Sequence, residues 1–475
     1  MATNEGARPT GDATRDERRR PLPMPPTHAH KLGPVRRLFA LSRSSLHSIY
    51  ERSYDMKLGD VRGPTRTFFF VNDIPLVNRI LNGDTERYPK GQLMGATLRQ
   101  LLGNGVFVTN GALWRKQRRM LNPAFERARI TAVFTPMVGA ARAMLSRLEP
   151  VADGRTVAID LEMTHVTADV IFRTIFSEPL RREDAEEVFA AFDRYQEHAW
   201  RHSIWMMAGV PERLSLPRLR SRGPARRIRR VLDAAVARRL KANSDGRVPP
   251  DDIMQSMIDA RDPESGDAFD REGLVDQVAV TFLAGHETSA SALGWTLFLL
   301  ARHPEHRARV EEEARAFWTD DGPTAAKLRL LRHTRDCFRE SLRLYPPVAF
   351  ASRDAAVEEE MRGKRIARGS VLFVSPYLLH RQRRFWTNPD AFDPDRFSRD
   401  EDRAPIRDAY IPFSKGPRVC LGASFALQEG VIILSAIASR FSIGDDPGHE
   451  PEPVAKLTLR SANGIRIRLR PHAEA

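Results

Sequence analysis

The sequence predicts a mainly α-helical protein with a small β portion, because it contains two contrasting patterns. From about residue 113 to 345, apolar residues recur with helical spacing over long stretches. After Pro346 and Pro347, short β-rich pieces alternate with glycines and prolines, which is typical of hairpins and loops. No internal repeat is visible, so the helices are not copies of one structural unit.

Individual elements can be placed from the breaks in these patterns. Residues 31–60 predict a first helix, and residues 67–71 and 371–374 predict short strands because they are rich in β-branched and aromatic side chains. A last helix is predicted over about 423–440. The long helical region is interrupted by polar stretches with Pro or Gly, near 150–155, 209–224, 243–250 and 261–273.

The chain is predicted to form one domain preceded by a tail. Residues 1–30 contain three consecutive arginines and five prolines but no apolar stretch, which is typical of a disordered segment. Acidic residues lie among these arginines, and this argues against a signal or transit peptide. No stretch between about 35 and 470 has the composition of a linker. We therefore predict a single domain over 31–475.

The composition argues against a disulfide-rich protein and against a membrane-spanning protein. Two cysteines, Cys337 and Cys420, exclude a disulfide scaffold and suit a reducing cytosol. The most apolar stretch, residues 278–301, is interrupted by His286 and Glu287, so no spanning helix is expected. We therefore expect a cytoplasmic protein.

The net charge of +14 raises the question of an anionic partner. No zinc finger, aromatic platform or basic helix-turn-helix pattern accompanies the charge, so nucleic acid is not an expected partner. The densest basic run, residues 218–239, is interpreted as a solvated helix face. Its alternative use is at most a peripheral contact with anionic lipid.

The most informative segment is the loop Phe413-Ser-Lys-Gly-Pro-Arg-Val-Cys420-Leu-Gly422, followed by an apolar helix. A thiolate that ligates a metal needs stabilisation of its charge and a fixed direction of approach. Arg418 is a nearby cation, and Gly416 and Gly422 allow the backbone to turn tightly around the sulfur. A lone cysteine is more often a small buried hydrophobe, but the flanking pattern favours a ligand here.

This pattern, F-x-x-G-x-R-x-C-x-G followed by Phe425, Ala426 and Glu429, resembles the haem-binding loop of the cytochromes P450. The resemblance covers roughly residues 60 to 470 and is closest to the soluble bacterial members. It implies the P450 fold, with haem b (iron protoporphyrin IX) between the long central helix and the helix that follows the cysteine loop. It also implies that Cys420 is the axial ligand of the haem iron and that Phe413 and Gly422 contact the haem.

A second motif lies in the middle of a long apolar helix, Ala284-Gly-His-Glu287-Thr288-Ser. A buried polar pair in such a helix is costly unless it is used or well bonded. The segment resembles the oxygen-activation motif of the P450s. By resemblance, Thr288 is the hydroxyl donor, Glu287 supplies protons, and the small Ala284 lies against the haem. The small residues Ala284 and Gly285 are both expected to leave room for a large flat group against the helix. His286 occupies the variable position of the motif and is not interpreted as a ligand.

Two further sets of residues complete the resemblance. Glu340 and Arg343 form an E-x-x-R pair at i and i+3, and Arg396 is the third partner in a trio that fixes the segment behind the cysteine loop. The haem propionates need cationic or N–H donors. The resemblance assigns this role to Trp114, Arg118, Arg353 and Arg418.

The function implied by the resemblance is monooxygenation: substrate, O2, two electrons and two protons give a hydroxylated product and water. The substrate pocket is expected to be apolar, which favours a small lipophilic substrate such as a fatty acid, a terpene or a carotenoid-like molecule. Its lining is predicted from Phe107, Val108, Ala284, Val348 and Phe350, with a lid at Ile204–Met207.

Electrons are expected from a separate ferredoxin- or flavodoxin-type protein, because about 55 residues follow Cys420. Basic residues near the haem are candidates for steering this acidic donor, namely Arg115, Lys116, Arg119 and Lys415. Two alternatives stay open. A peroxide-dependent hydroxylase of the same fold has less need of the Glu287–Thr288 pair, and a haem sensor needs no proton relay.

Overall fold

The computed structural model describes residues 21–125 and 132–472. The architecture is mainly helical with four small sheets in these ranges, as the sequence predicts. Within the same ranges, none of the helices combines the length and apolar character needed to span a bilayer.

The first half of the chain is built mostly from helices that are joined by short loops and single turns. In chain order these helices are α1 (Pro34–Arg43), α2 (Ile74–Asn82), α3 (Gln92–Leu102), α4 (Gly111–Leu121), α5 (Phe134–Leu148), α6 (Ile159–Phe176), α7 (Arg182–Met207), α8 (Leu216–Ser244) and α9 (Ile253–Asp259).

The second half contains the longest helix and the helix that follows the cysteine loop. Its helices are α10 (Arg271–Arg302), α11 (Pro304–Phe317), α12 (Arg332–Leu344), α13 (Pro376–Leu379), α14 (Arg403–Ala409) and α15 (Ala423–Arg440). The predicted last helix therefore has the observed bounds of α15.

The strands form a four-stranded sheet and three smaller sheets. They are β1 (Leu58–Arg62), β2 (Thr67–Val71), β3 (Thr156–Ala158), β4 (Ala351–Asp354), β5 (Glu359–Met361), β6 (Lys364–Ile366), β7 (Val371–Val374), β8 (Phe441–Asp445), β9 (Pro453–Ala455), β10 (Leu459–Ser461) and β11 (Arg466–Pro471). The largest sheet has the order β1-β2-β7-β4, and the others are β3-β11-β8 and the hairpins β9-β10 and β5-β6. Both strands predicted from the sequence, 67–71 and 371–374, pair in parallel as β2 and β7.

Two predicted elements differ from the structure. The helix expected over 31–60 is short, because α1 ends at Arg43 and the chain continues through single turns into β1. The break expected over 209–224 ends earlier, since α8 begins at Leu216 and carries Pro224 in its interior. A proline removes one helical hydrogen bond but does not end a helix that packing supports on both sides.

The segment before α1 contributes to the folded body. The hydroxyl of Tyr345 donates to the carbonyl of Pro23 at 3.0 Å, and His28 bridges to Tyr50. Residues 1–20 of the predicted tail lie outside the described residues, whereas contacts with the body begin ahead of residue 31.

Helix α10 runs through the core and packs closely along α6. A Cβ atom added at Gly285 would lie 2.4 Å from the side chain of Ile171 on α6, so a glycine is required there for the two helices to approach. Gly285 therefore serves helix packing. The room for a flat group, which the sequence attributed to both small residues, is left by Ala284 alone.

Helix α15 contributes an unusual buried acid to the same core. Glu429 is fully buried, and neither of its carboxyl oxygens has a hydrogen-bond partner in the described part of the chain. Burial raises the pKa of Glu429 to about 8, while the nearby Ser289 hydroxyl on α10 acts in the opposite direction. The side chain is therefore a neutral acid in the folded protein at neutral pH.

This buried acid predicts a pH-dependent loss of stability. An unfolded glutamate titrates near 4.5 and the folded one near 8, so unfolding releases a proton between these values. The contribution of Glu429 to the free energy of unfolding is thus fully present below about pH 4.5. It falls by a few kcal/mol as the pH rises towards 8. We expect Glu429→Gln to abolish this part of the decline, as measured by denaturant unfolding at pH 5 and pH 8. Parallel declines in the variant and the wild type would contradict the assignment, and Glu360→Gln, at an exposed carboxylate, is the control.

Candidate active site

The cysteine loop is held in a fixed shape by backbone contacts. The Cys420 amide donates to the carbonyl of Phe413 at 3.0 Å, and the Val419 amide donates to that of Gly416 at 2.9 Å. Gly416 has a φ of +73°, and an added Cβ atom would lie 2.2 Å from the carbonyl oxygen of Leu81. A glycine is therefore required at 416 on two grounds, conformation and space.

The two cysteines occupy opposite environments. Cys420 is exposed, although it follows a folded loop, whereas Cys337 is fully buried with its sulfur 3.5 Å from Nε2 of His333. Although Cys420 is exposed, the protein atoms around the loop desolvate its thiolate and raise the pKa of the thiol, whereas the Gly422 amide and the Arg118 charge lower it. The cation that acts on this sulfur is Arg118, whereas Arg418, expected there from the sequence, extends elsewhere.

Gly422 caps the start of α15 with a φ of −88°, which any residue adopts. An added Cβ atom would meet no neighbouring protein atom within 4 Å. The tight turn that the sequence attributed to this glycine is thus not required by the chain itself. The space beside Gly422 is instead available to a bound group.

The central helix exposes two of the predicted site residues. Ala284 is exposed although it lies in the middle of the largely buried α10, and Thr288 one turn later is half-buried. The Thr288 hydroxyl donates to the Ala284 carbonyl at 2.5 Å. This back-bond leaves a hydroxyl oxygen that can still accept a hydrogen bond.

The carboxylate next to Thr288 is held by a residue that the sequence did not indicate. The hydroxyl of Thr458 donates to Oε1 of Glu287 at 2.7 Å, and the Glu287 side chain is otherwise buried. Thr458 lies in the turn between β9 and β10. This turn is anchored because the Leu459 amide donates to the carbonyl of Pro347 at 2.8 Å.

His286 lies within an aromatic cluster. Its ring stacks on Phe282 at 4.5 Å and meets Phe192 edge-on at 5.0 Å. Its Nδ1 is 2.7 Å from the Phe282 carbonyl, and the residue is fully buried. These contacts are consistent with the interpretation of His286 as a packing residue.

Four cations converge beside Trp114. The guanidinium of Arg418 lies 5.1 Å from the centre of the buried Trp114 ring, and the ammonium of Lys90 lies 5.6 Å from it. Arg118 donates to the Val419 carbonyl at 2.9 Å, and Arg353 forms a β-bridge with Lys90. The structure thus brings together all four residues that the sequence predicted here.

Lys90 is the member that sequence reasoning missed. Its Nζ donates to the carbonyls of Val106 and Thr109, at 2.5 and 2.9 Å, and its side chain is buried. Burial, with the charges of three arginines, lowers the pKa of Lys90 to about 6. The three arginines are Arg418, Arg353 and Arg118.

The buried ionic cluster behind the loop matches the predicted trio. Both carboxylate oxygens of Glu340 accept from Arg343 at 2.9 Å, and Oε1 also accepts from Arg396 at 3.0 Å. All three side chains are fully buried. Arg343 also donates to three backbone carbonyls, those of His380, Pro389 and Ala391.

Hydrogen bonds of the neutral His380 connect the buried ionic cluster to the segment just before the cysteine loop. Nδ1 of His380 is 3.1 Å from the Arg343 carbonyl, and its Nε2 accepts from the Ile411 amide at 2.8 Å. Burial lowers the pKa of His380 to about 3, so the ring stays neutral and can accept this bond. Ile411 lies two residues before Phe413.

The predicted pocket residues divide into two groups. Phe107 and Val348 are more than one-third exposed, and the half-buried Phe350 packs edge-on against Phe70 and Phe373 at 6.2 Å each. Val108 is 4% exposed in the main core, which argues against a place in the pocket lining.

The lid segment is also mostly covered by the chain. Of the residues in Ile204–Met207, Ile204 is buried and the other three are half-buried.

The basic residues expected to steer an electron donor are largely neutralised within the chain. Arg115 pairs with Glu86 at 2.7 Å and Lys116 with Asp267 at 2.5 Å. Arg119 pairs with two acids, and Lys415 donates to backbone carbonyls. These side chains therefore present less positive potential than their number suggests.

Comparison with known proteins agrees with this arrangement. Residues 39–467 match the family model described as Cytochrome P450, which is most of the chain. The chain is a cytochrome P450.

Individual relatives have moderate sequence identity to this chain. The cyclooctat-9-en-7-ol 5-monooxygenase of Streptomyces melanosporofaciens is 32% identical, over 81% of this chain and 82% of its own. The pentalenene oxygenase of Streptomyces avermitilis is 28% identical, over 90% and 93%. The crystal structure of the cytochrome P450DA heme domain has a TM-score of 0.78 at 26% identity, and the match covers 96% of this chain and 98% of that one.

Family membership establishes the reaction class and confirms the sequence prediction. The protein is a haem-thiolate monooxygenase, and O2, a substrate and a redox partner are what the family implies.

The residues present also fit the cofactor. In the described part of the chain, the charges that shift the pKa values of Lys90 and Arg353 are all positive. In addition, Nε of Arg418 is buried there without a hydrogen-bond partner. Buried like charges are costly unless an anion lies among them, and haem brings two carboxylates.

The buried ionic cluster yields a test of its structural role. Glu340→Ala leaves the buried Arg343 without its anionic partner, although Arg396 keeps Asp402 at 3.6 Å, and the uncompensated charge costs about 3–5 kcal/mol. We expect a lower midpoint of unfolding and a haem content well below one per chain, measured by denaturation and by the pyridine haemochrome assay. Glu358→Ala, which breaks an exposed pair with Arg365, should leave both quantities unchanged. Full haem occupancy in Glu340→Ala would contradict a role of the cluster in holding the loop.

Proposed function

We propose that this P450 hydroxylates a lipophilic, terpene-type substrate. The observation that carries the proposal is the apolar character of the exposed residues around the site, Phe107 and Val348, beside the aromatic group of Phe350. No charged side chain is among these candidates, so the substrate is recognised by shape and apolar contact. The relatives named for oxygenation of cyclooctat-9-en-7-ol and of pentalenene support the same substrate class.

The proposed cofactor is haem b, bound through the Cys420 thiolate. Trp114, Lys90, Arg118, Arg353 and Arg418 are proposed to hold its propionates, because they converge without a matching set of acids. Bound haem supplies the activation of O2 that the reaction class requires.

The chain itself supplies protons and keeps them available. Thr288 is proposed to offer its hydroxyl to the reacting oxygen, and Glu287 to replenish the proton through water or by direct contact. Thr458 fixes the orientation of the Glu287 carboxylate through their 2.7 Å bond. The hairpin turn at 458 thereby becomes part of the proton supply, although it is remote from Glu287 in sequence.

Electrons are proposed to come from a separate ferredoxin- or flavodoxin-type donor. Arg115, Lys116 and Arg119 are proposed to contribute less to its attraction than their number suggests, since each is paired with an acid of this chain. Arg118 carries its charge close to Cys420, with the loop carbonyl of Val419 as its partner. It is the better candidate for the donor side of the site.

An absorption titration of the haem-loaded protein tests the substrate proposal. A ligand that enters the pocket displaces axial water and moves the Soret band to shorter wavelength. We expect this shift with cyclic terpenes and a weaker one with fatty acids or carotenoids. A saturable shift with fatty acids alone, or with none of the three classes, would reject the terpene proposal while leaving the family assignment intact.

A second experiment tests the proton supply. Thr288→Ala is expected to raise the fraction of reducing equivalents lost as hydrogen peroxide by about tenfold, while Thr288→Ser retains coupling. Peroxide and product are measured together, with the substrate identified in the titration and a surrogate ferredoxin system.

A matched pair of variants tests the role of Thr458 in the same assay. Thr458→Val removes the hydroxyl at nearly constant volume, and Thr458→Ser keeps it. We expect the valine variant to behave like Glu287→Gln, with more peroxide and an altered solvent isotope effect. If Glu287→Gln changes the ratio of peroxide to product and Thr458→Val does not, the positioning role of Thr458 is excluded.

A further inference from the structure

One residue of the oxygen-activation motif is held by neighbouring helices through both its side chain and its backbone. This residue is His286, which directly precedes the Glu287–Thr288 pair on α10. It is fully buried, although it occupies the variable position of the motif. Its contacts come from two other helices, α6 and α7, so they constrain this turn of α10 from two sides.

The carbonyl of His286 is in contact with a side chain of α6. Oγ1 of Thr167, which is fully buried, lies 2.9 Å from this carbonyl oxygen and 2.8 Å from the carbonyl oxygen of Met163 in its own helix. The single hydroxyl proton is therefore shared between an inter-helix bond and a back-bond. In a regular α-helix the same carbonyl also accepts from the amide four residues later. The Thr167 hydroxyl thus acts on the turn of α10 that carries the polar pair of the motif.

The inter-helix bond depends on the close approach of α6, which a glycine allows. Ile171 lies one turn after Thr167, on the same face of α6. Its side chain fills the space beside Gly285, where an added Cβ atom would lie 2.4 Å from it. A larger residue at 285 would push α6 away and lengthen the bond at 286. Gly285 and Thr167 therefore act together, since the glycine lets the helices approach and the threonine joins them.

The ring of His286 is held by α7 and by its own helix. Phe192 on α7 meets the ring edge-on at 5.0 Å between ring centres, and Phe189 lies 6.5 Å from it. Within α10 the ring stacks on Phe282 at 4.5 Å, and Nδ1 is 2.7 Å from the Phe282 carbonyl. Burial lowers the pKa of His286, so the ring is neutral and, with its proton on Nδ1, donates to that carbonyl. The ring cannot turn without losing contacts to both helices.

The residue after His286 is fixed from a third direction. The Thr458 hydroxyl donates to Glu287, and the hydroxyl of Ser291, one turn later, donates to the carbonyl of Leu459 next to Thr458. Successive side chains of an α-helix point about 100° apart, because the helix has 3.6 residues per turn. Contacts at 286 and 287 from different sides therefore set the rotation of this turn of α10, which decides where the side chain of residue 288 points.

We propose that His286 and Thr167 are positioning residues for the Glu287–Thr288 pair. They fix the rotation of the turn that carries the pair and so keep the Thr288 hydroxyl directed into the site. Both act through the backbone of α10 and not by contact with the reacting groups. This role rests on the proposed function, in which Thr288 offers its hydroxyl to the reacting oxygen.

Thr167→Val tests the proposal because it removes the hydroxyl at nearly constant volume, whereas Thr167→Ser keeps it. The first readout is the infrared C–O stretch of the reduced haem protein with carbon monoxide bound. This band shifts with the electric field of nearby polar groups, so it reports the position of the Thr288 hydroxyl without turnover. We expect one narrow band in the wild type and in Thr167→Ser, and a broadened or second band in Thr167→Val.

The ratio of peroxide to product is the second readout. We expect Thr167→Val to raise this ratio about threefold, as for the loss of one neutral hydrogen bond, and Thr167→Ser to stay near the wild type. His286→Ala should act in the same direction because it removes the ring contacts. His286→Phe keeps a ring between Phe282 and Phe192, so we expect a ratio close to that of the wild type.

Thr174→Val is the matched control for a merely structural effect. Thr174 is also a buried threonine of α6, and its hydroxyl donates at 3.1 Å to the carbonyl of Ile171 in its own helix. We expect Thr174→Val to lower the free energy of unfolding about as much as Thr167→Val while leaving the C–O band and the peroxide ratio unchanged. Equal bands and equal ratios in the two valine variants would overturn the proposal and leave Thr167 as a packing residue.

Thr288→Ala separates the failure of this proposal from the failure of the proposed function. If Thr288→Ala leaves the ratio unchanged, the proton-supply role of Thr288 fails, and the C–O band alone decides whether Thr167 sets the position of the turn. If Thr288→Ala raises the ratio while Thr167→Val and His286→Ala do not, the proton supply stands and the positioning role is rejected.

Discussion

A single buried carboxylate organises the proximal half of this P450. Glu340 binds two arginines that have no access to water, and removing its carboxylate would leave the buried Arg343 without its anionic partner. Arg343 uses its remaining donors on backbone carbonyls of the segment that precedes the cysteine loop. Neutral His380 extends the connection to Ile411 and so to the start of the loop. The position of Cys420, the proposed iron ligand, is thus set by charges that lie far from it in sequence.

The sequence predicted the parts of this arrangement that depend on neighbouring residues. The cysteine loop and the Glu287–Thr288 pair follow from local spacing and composition and stay predictions as functional groups, and the predicted bounds of α15 are confirmed. It did not predict Lys90 or Thr458, because their roles come from contacts across the fold and a lone Lys or Thr carries no local signal. Gly285 illustrates the same limit. Its sequence context suggested space for a cofactor, whereas the structure shows that a glycine is needed there because α6 packs closely against it.

Charge is distributed unevenly over the molecule, and burial explains the pattern. At the surface near Cys420, Arg115 and Lys116 have acidic partners, so their fields largely cancel. Beside Trp114, three arginines and Lys90 gather with backbone carbonyls and asparagine side chains as partners, and the pKa of Lys90 is lowered. An anion bound among these groups would offset their mutual repulsion and stabilise this part of the fold.

The contrast between the two cysteines has a practical consequence. Cys337 is sealed in the core, and Cys420 is the thiol that solvent can reach in the chain without haem. On the proposal that Cys420 ligates the haem iron, bound haem covers that sulfur. A thiol-reactive dye would therefore label one site per empty chain and none per loaded chain, so the native protein reports the fraction of unfilled molecules in any preparation.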